Sequence, residues 1–114
     1  VLRELKRVLA PDGVVRLGLP DLDKAIQAYI SGDHRYFHVP DSDAQAIGTK
    51  LVTQIIWYGS VRTPFTFDCI AEFLTREGYR HVRRCEFGRT ESPYPEIVQL
   101  DNRPRESLFV EAVK

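Results

Sequence analysis

Apolar positions recur at helical spacing at the start of the chain: Leu2, Leu5 and Leu9, with Val1 and Val8 beside them. Arg3, Glu4, Lys6 and Arg7 fill the opposite side. Pro11 cannot continue a helix and pushes Ala10 out of the α region. Ala10-Pro11-Asp12-Gly13 has the composition of a type I turn, with Pro second and Gly fourth. Val14, Val15, Leu17 and Leu19 then form a short run rich in β-branched residues, expected as a strand covered on both faces. Arg16 and Gly18 interrupt it, which leaves one face partly covered.

The same reading extends along the chain. Asp21 is placed to cap a helix running to about Ser31, with Leu22, Ala25, Ile26 and Tyr29 inward and Gly32 as its terminator. Asp33 to Asp41 is a polar and aromatic connection. Ser42 and Gln45 have the spacing of a capping box, and Ala44, Ile47, Leu51, Ile55 and Tyr58 trace one helical face ending near Gly59. Thr66 caps a further helix with Phe67, Ile70, Ala71 and Leu74 inward, a Glu72–Arg76 pair outside and Gly78 as stop. Tyr79 to Phe87 reads as a charged edge strand, and Ser107 to Val113 as a more apolar, central one. Gly88 to Glu106, with Pro93, Pro95 and Pro104, is long enough to require a function or packing of its own. Helix, turn, buried strand and helix in succession argue for an α/β layered fold.

At 114 residues the chain is a single domain, residues 1–114. Sixteen basic and sixteen acidic residues balance, which removes the electrostatic footprint of a general nucleic-acid binder. The Arg80–Arg84 cluster, with His81 and Arg89, is accordingly read as the guard of an edge strand. No apolar run approaches the ~20 residues that span a bilayer, and no signal peptide is visible. The two cysteines, Cys69 and Cys85, are too few and too separated for a zinc site and read as small apolar residues. No metal is expected, and a reduced, cytoplasmic location is. The first residue is Val rather than Met, which points to a missing natural start.

RELKRVLAPDGVVRLGLPDL resembles a region of bacterial predicted methyltransferases of the class I, S-adenosylmethionine-dependent family. In that family a helix carrying R-x-L-K-P-G-G leads into the fifth strand and a V/L-P-D motif. Ala10 here replaces the usual Lys, and Asp12 the first Gly. FTFDCIAEFLTREGYRHVRR, residues 65–84, is similar to the family's helix and sixth strand, and SLFVEAVK, residues 107–114, to its seventh. Residues 32–62 match least. The resemblance implies the C-terminal half of a Rossmann-like fold, with about three strands in the order 5-7-6, the last antiparallel, and three to four helices. On this chain the strands would run Val14–Leu19, then Ser107–Val113, then His81–Phe87 at the edge. The N-terminal half that binds the cofactor would lie outside the chain. The outer edge of Val14–Leu19 would then serve self-association or receive a missing N-terminal segment.

Methyl transfer requires the sulfonium donor to be held in line with its acceptor, and a Gly-rich turn normally lets the backbone approach that donor. The seven glycines are all isolated, and no GxG occurs. The chain alone is therefore not expected to bind S-adenosylmethionine tightly, and none of its residues is assigned to the cofactor. What remains is the acceptor side, beyond the carboxyl end of the first strand. Asp21, His34 and His38 are the candidates for a general base, although a cap accounts fully for Asp21 and solvated loop positions for the histidines. Tyr36, Phe37, Trp57, Tyr58 and Phe65 could line a pocket for a small hydrophobic or sugar-like acceptor, and Arg62 could meet an anionic one. Core packing and a surface position are their plainer descriptions. The expected function is the acceptor-side portion of a methyltransferase. The competing class is a non-catalytic α/β interaction or oligomerisation module.

Overall fold

The computed structural model describes residues 1–57 and 64–114, without the side chains of residues 56 and 57. Within them the chain is a small α/β fold with a three-stranded antiparallel sheet and four α-helices. In chain order these are α1 (Leu2–Val8), β1 (Val14–Pro20), α2 (Leu22–Ser31), α3 (Ile47–Val52), α4 (Phe67–Arg76), β2 (Arg80–Cys85) and β3 (Ser107–Val113). The strands lie in the order β1-β3-β2, and both pairings are antiparallel. The described strands thus contain no adjacent parallel pair of the kind that defines a doubly wound sheet. The numbering 5-7-6 assigns them to places in a larger sheet, and that assignment is taken up under the proposed function.

Alternation gives the sheet two unlike faces. Val15, Leu17 and Leu19 of β1 stand opposite Ala112, Val110 and Leu108 of β3. With Val82 of β2, they pack against Leu2 and Leu9 at α1 and Ile70 and Leu74 of α4, forming the main core. On the other face Arg16 stands opposite Glu111, and Gly18 opposite Phe109. The 88–106 connection crosses that face, tied down through Arg16 to the carbonyls of Glu86 and Arg89 (2.9 Å each) and to Asp101. It carries a short 3-10 turn, Pro95–Val98. The packing expected of so long a connection is therefore present.

Several boundaries differ from the expectations. The first turn is closed by the Gly13 amide donating to the Ala10 carbonyl at 2.8 Å, but Asp12 has φ +61°, the geometry of type II rather than type I. Pro11 and the short polar Asp12 tolerate that arrangement, and Gly13 is needed because a Cβ there would lie 2.8 Å from the same carbonyl oxygen. β1 is half-buried, with Gly18 exposed, rather than covered on both faces; the buried strand is β3. Ser42 and Gln45 do not form a capping box. Pro40 opens a turn that takes in Asp43 and Ala44, and α3 starts only at Ile47, after Ala46 and with no side-chain cap. The helix does not continue regularly either: Thr53–Trp57 is a π-helical turn, while Tyr58 and Gly59 lie outside the described residues.

The caps of the other helices follow the sequence. Asp21 accepts from the Lys24 amide at the start of α2, and Thr66 from the Cys69 amide at the start of α4. Gly32 and Gly78 have positive φ at the two helix ends. Tyr29, expected inward, is 46% exposed; α2 buries Ala25, as expected, and Ala28. β2 is shorter than expected and irregular, with a register shift between Arg80 and Arg83 and φ +53° at His81. Such a bulge suits an edge strand. No helix among the described residues is long and apolar enough to cross a membrane.

Candidate functional site

A cavity of about 250 Å³ opens at the carboxyl end of β1, where Pro20 hands the chain to α2. Its wall comes from Pro20, Asp21 and Leu22, from Tyr36 in the connection, from Gln54 in the π-helical turn, and from Glu106 just before β3. The β1–β3 ladder fixes the floor, since the Asp21 amide donates to the Glu106 carbonyl at 3.0 Å. Beside the cavity, Phe65 bridges to the end of β1 through its backbone. Its amide donates to the Pro20 carbonyl (3.0 Å), and its carbonyl accepts from the Leu22 amide (2.9 Å).

Asp21 lies at this mouth with a fully buried side chain. One carboxylate oxygen accepts from the Lys24 amide at 3.3 Å, and the other from Arg84 at 2.9 Å. The Arg84 guanidinium also stands over the Phe67 ring, 5.9 Å from its centre. Asp21 is thus a cap and an ion-pair partner, and its oxygens are already engaged. Tyr36 borders the cavity half-buried, edge-on to Phe37 with ring centres 5.1 Å apart. Its hydroxyl is pushed up to about 12, first by burial and then by the negative charges of Glu106 and Asp21, with Arg105 opposing. At neutral pH it is a protonated donor.

The two histidines part company. His38 reaches the site through neighbours: its ring Nδ1 is 3.1 Å from Glu106 Oε2, and its amide donates to Gln54 Oε1 at 3.0 Å. His34 turns away, accepting at Nδ1 from the Lys50 ammonium at 3.0 Å. Lys50 is 5% exposed and also donates to Asp41 at 2.6 Å, so its charge is answered where it is buried. That bond holds the Asp41 carboxyl below the usual carboxylate range.

Of the expected aromatic group, Tyr36 reaches the cavity, Phe37 is buried, and Phe65 packs against the main core. Trp57 ends the π-helical turn, and its side chain is outside the described residues, as are Tyr58 and Arg62. Gln54 and Glu106 were not legible as site residues. Gln54 is a polar residue between Thr53 and Ile55 in an apolar stretch, which is a faint signal; Glu106 gives none before β3 is paired. Cys85 is a poor nucleophile, its thiol pushed up by burial and by Glu111. No group of His, Cys, Asp and Glu among the described residues could hold a metal ion.

The fit to S-adenosylmethionine is poor. The β1–α2 junction contains no glycine through which backbone could approach a ribose or a sulfonium. The cavity is also smaller than the ~300–1,000 Å³ typical of pockets for larger ligands. Compared with protein-family models, with curated proteins and with solved structures, the chain matches none of them.

Proposed function

We propose that this chain is the acceptor-side, C-terminal portion of a class I S-adenosylmethionine-dependent methyltransferase, with β1, β3 and β2 in the fifth, seventh and sixth places of that family's sheet. The observation that carries the reading is the cavity at the carboxyl end of β1, where open α/β sheets bind their ligands. The insertion of β3 antiparallel between β1 and β2 supports it. Within this reading Tyr36 donates a hydrogen bond to the acceptor. The paired Glu106 and His38 would receive the proton that the acceptor loses. Asp21, engaged by Arg84 and the Lys24 amide, positions the mouth of the cavity. A cytoplasmic setting accompanies the reading, supported by two unpaired cysteines.

The test is the reading frame preceding Val1. A Gly-rich turn after one strand and an acidic residue ending the next are expected there; their absence would remove the proposal. Calorimetry of this chain with S-adenosylmethionine is expected to give no strong binding, and a micromolar Kd would overturn the division of roles.

A second reading, a non-catalytic interaction module, is favoured by the outer edge of β1. Gly13 and Asp21 turn their backbone groups to β3, so alternation turns those of Val14, Arg16 and Gly18 the other way. Beside that edge an apolar groove of about 840 Å³ runs between α1 and α4, lined by Leu2, Leu5, Leu17, Leu19 and Phe73. Arg3, Arg76, Glu4 and Glu77 stand around it with both signs of charge, as a two-fold contact with a second copy requires. Sedimentation at micromolar concentration is expected to show a dimer, and a strictly monomeric species would exclude this reading.

A further inference from the structure

We infer that the cavity at the end of β1 takes a neutral, polyhydroxylated ring of pyranose size, an inference that rests on reading this cavity as the acceptor site. Gln54 carries the argument. It is 4% exposed and lines the cavity. Its Oε1 accepts from the His38 backbone amide, and an amide N–H can only donate, so the orientation of the side-chain carboxamide is fixed. The Gln54 –NH2 group therefore points elsewhere, and none of the hydrogen bonds among the described residues uses it. Since Gln54 lines the cavity, a ligand oxygen there can accept from this donor.

Glu106 supplies the complementary demand. Its Oε2 faces His38, while Oε1 has no partner among the described residues and accepts only. Tyr36, protonated at neutral pH, can both donate and accept. Donor, acceptor and amphoteric group around one small space suit hydroxyls, each of which donates and accepts. Pro20, Leu22 and Ala25 provide an apolar wall for the C–H face of a ring.

Other ligand classes fit less well. A purely apolar ligand would leave the Gln54 nitrogen and the Glu106 oxygen unanswered. An anion would meet the negative field of Glu106 and Asp21, the same field that raises the Tyr36 hydroxyl. A cation would satisfy Glu106 but oppose the Gln54 –NH2 dipole and Arg103, which also lines the cavity. The volume admits a single ring.

The experiment is an amide-resolved NMR titration of the full chain with three probes: methyl α-D-glucopyranoside, n-butylamine and inorganic phosphate. The glycoside is expected to shift the amides of Asp21, Leu22, Tyr36 and Gln54 and to saturate in the millimolar range, while the other two leave them unmoved. Gln54→Glu keeps the acceptor for the His38 amide and removes the –NH2 donors; Glu106→Gln keeps the shape and removes the charge. Each is expected to weaken the glycoside at least tenfold at an unchanged melting temperature. Where Gln54→Glu lowers the melting temperature, Tyr36→Phe replaces it, with the same expectation. If butylamine or phosphate moves these amides and the glycoside does not, the cavity stands as a site and the polyol class is overturned. If no probe moves them, or if the glycoside shifts survive both variants, the site itself is overturned.

Discussion

Arg16 and Glu111 face each other across the β1–β3 ladder, with Arg16 Nη1 2.6 Å from Glu111 Oε2, and both side chains are nearly excluded from solvent (4% and 1% exposed). Arg16 also makes a two-nitrogen contact with Asp101 at 2.8 and 2.6 Å. Glu111 in turn accepts from Thr90 at 2.6 Å and from Arg83 at 3.2 Å. One guanidinium thus fastens the long 88–106 connection onto the sheet face opposite the helices. The planar fork of arginine is what lets a single side chain reach two carboxylates and two carbonyls at once.

Removing that guanidinium is expected to be severe, because it strands buried carboxylates. Arg16→Met is predicted to lose about 3–5 kcal/mol of stability, measured by urea unfolding. Arg16→Lys is predicted to recover less than half of the loss, since an ammonium cannot bridge both partners. A loss below about 1 kcal/mol for Arg16→Met, within the range of a surface pair, would show that the connection is held by other contacts.

Asp101 gives the same network a pH dependence. Its hydrogen bond to Arg16, with help from the Gly88 amide and against the cost of burial, holds the Asp101 carboxyl below its ordinary value of 3.8. A depressed carboxyl contributes stability above its unfolded value and loses that contribution as the pH falls through the folded one. The melting temperature is therefore expected to drop as the pH is lowered below about 4. Asp101→Asn, less stable at neutral pH, is expected to show a shallower acid limb. Parallel limbs for the two proteins would contradict the assignment.

Gly78 ends α4 with φ +87°, and a Cβ there would run into the Lys6 ammonium group of α1. Gly78→Ala is predicted to cost about 1–2 kcal/mol through the left-handed backbone alone, since the lysine end is flexible and can move. Adding Lys6→Ala to that variant is expected to change little further. Thermal unfolding of the single and double variants checks both statements.

The Tyr36 hydroxyl, pushed up to about 12 from 10.0, is a direct report on the cavity. Because the folded form holds its proton longer, the associated stability is complete below pH 10 and is lost as the pH rises toward 12. In an ultraviolet titration Tyr36→Phe is expected to remove a late-ionising component and leave the earlier ones. Loss of an early component instead would place Tyr36 in water.

Much of the local structure could be read along the chain. Asp21 and Thr66 as caps, Gly32 and Gly78 as terminators and the apolar run of Ser107–Val113 all depend on neighbours a few residues away, and so are written in local pattern. The failures have equally local causes. Ser42 and Gln45 have capping-box spacing, but Pro40 opens a competing turn; Tyr29 sits at an inward-looking position yet stays half exposed, its ring beside Gly48 of α3. The site was legible at Asp21 and Tyr36, which stand next to a strand end, and not at Gln54 and Glu106. Those two meet only when segments 52 residues apart in sequence are folded together.

The sequence by itself determined α1, α2, α4 and their caps and the existence of the three strands, because caps, turn residues and apolar periods act over one or two turns of chain. Tertiary structure alone decided the partners of the buried charged residues, whereas the exposed Glu72–Arg76 pair was written in helical spacing. Arg16 looked like an interruption in a strand until the antiparallel register put it face to face with Glu111 and the connection sealed both from water. Charge inside a protein is tolerated only when its counter-charge is within hydrogen-bond reach, and that distance is a property of the fold.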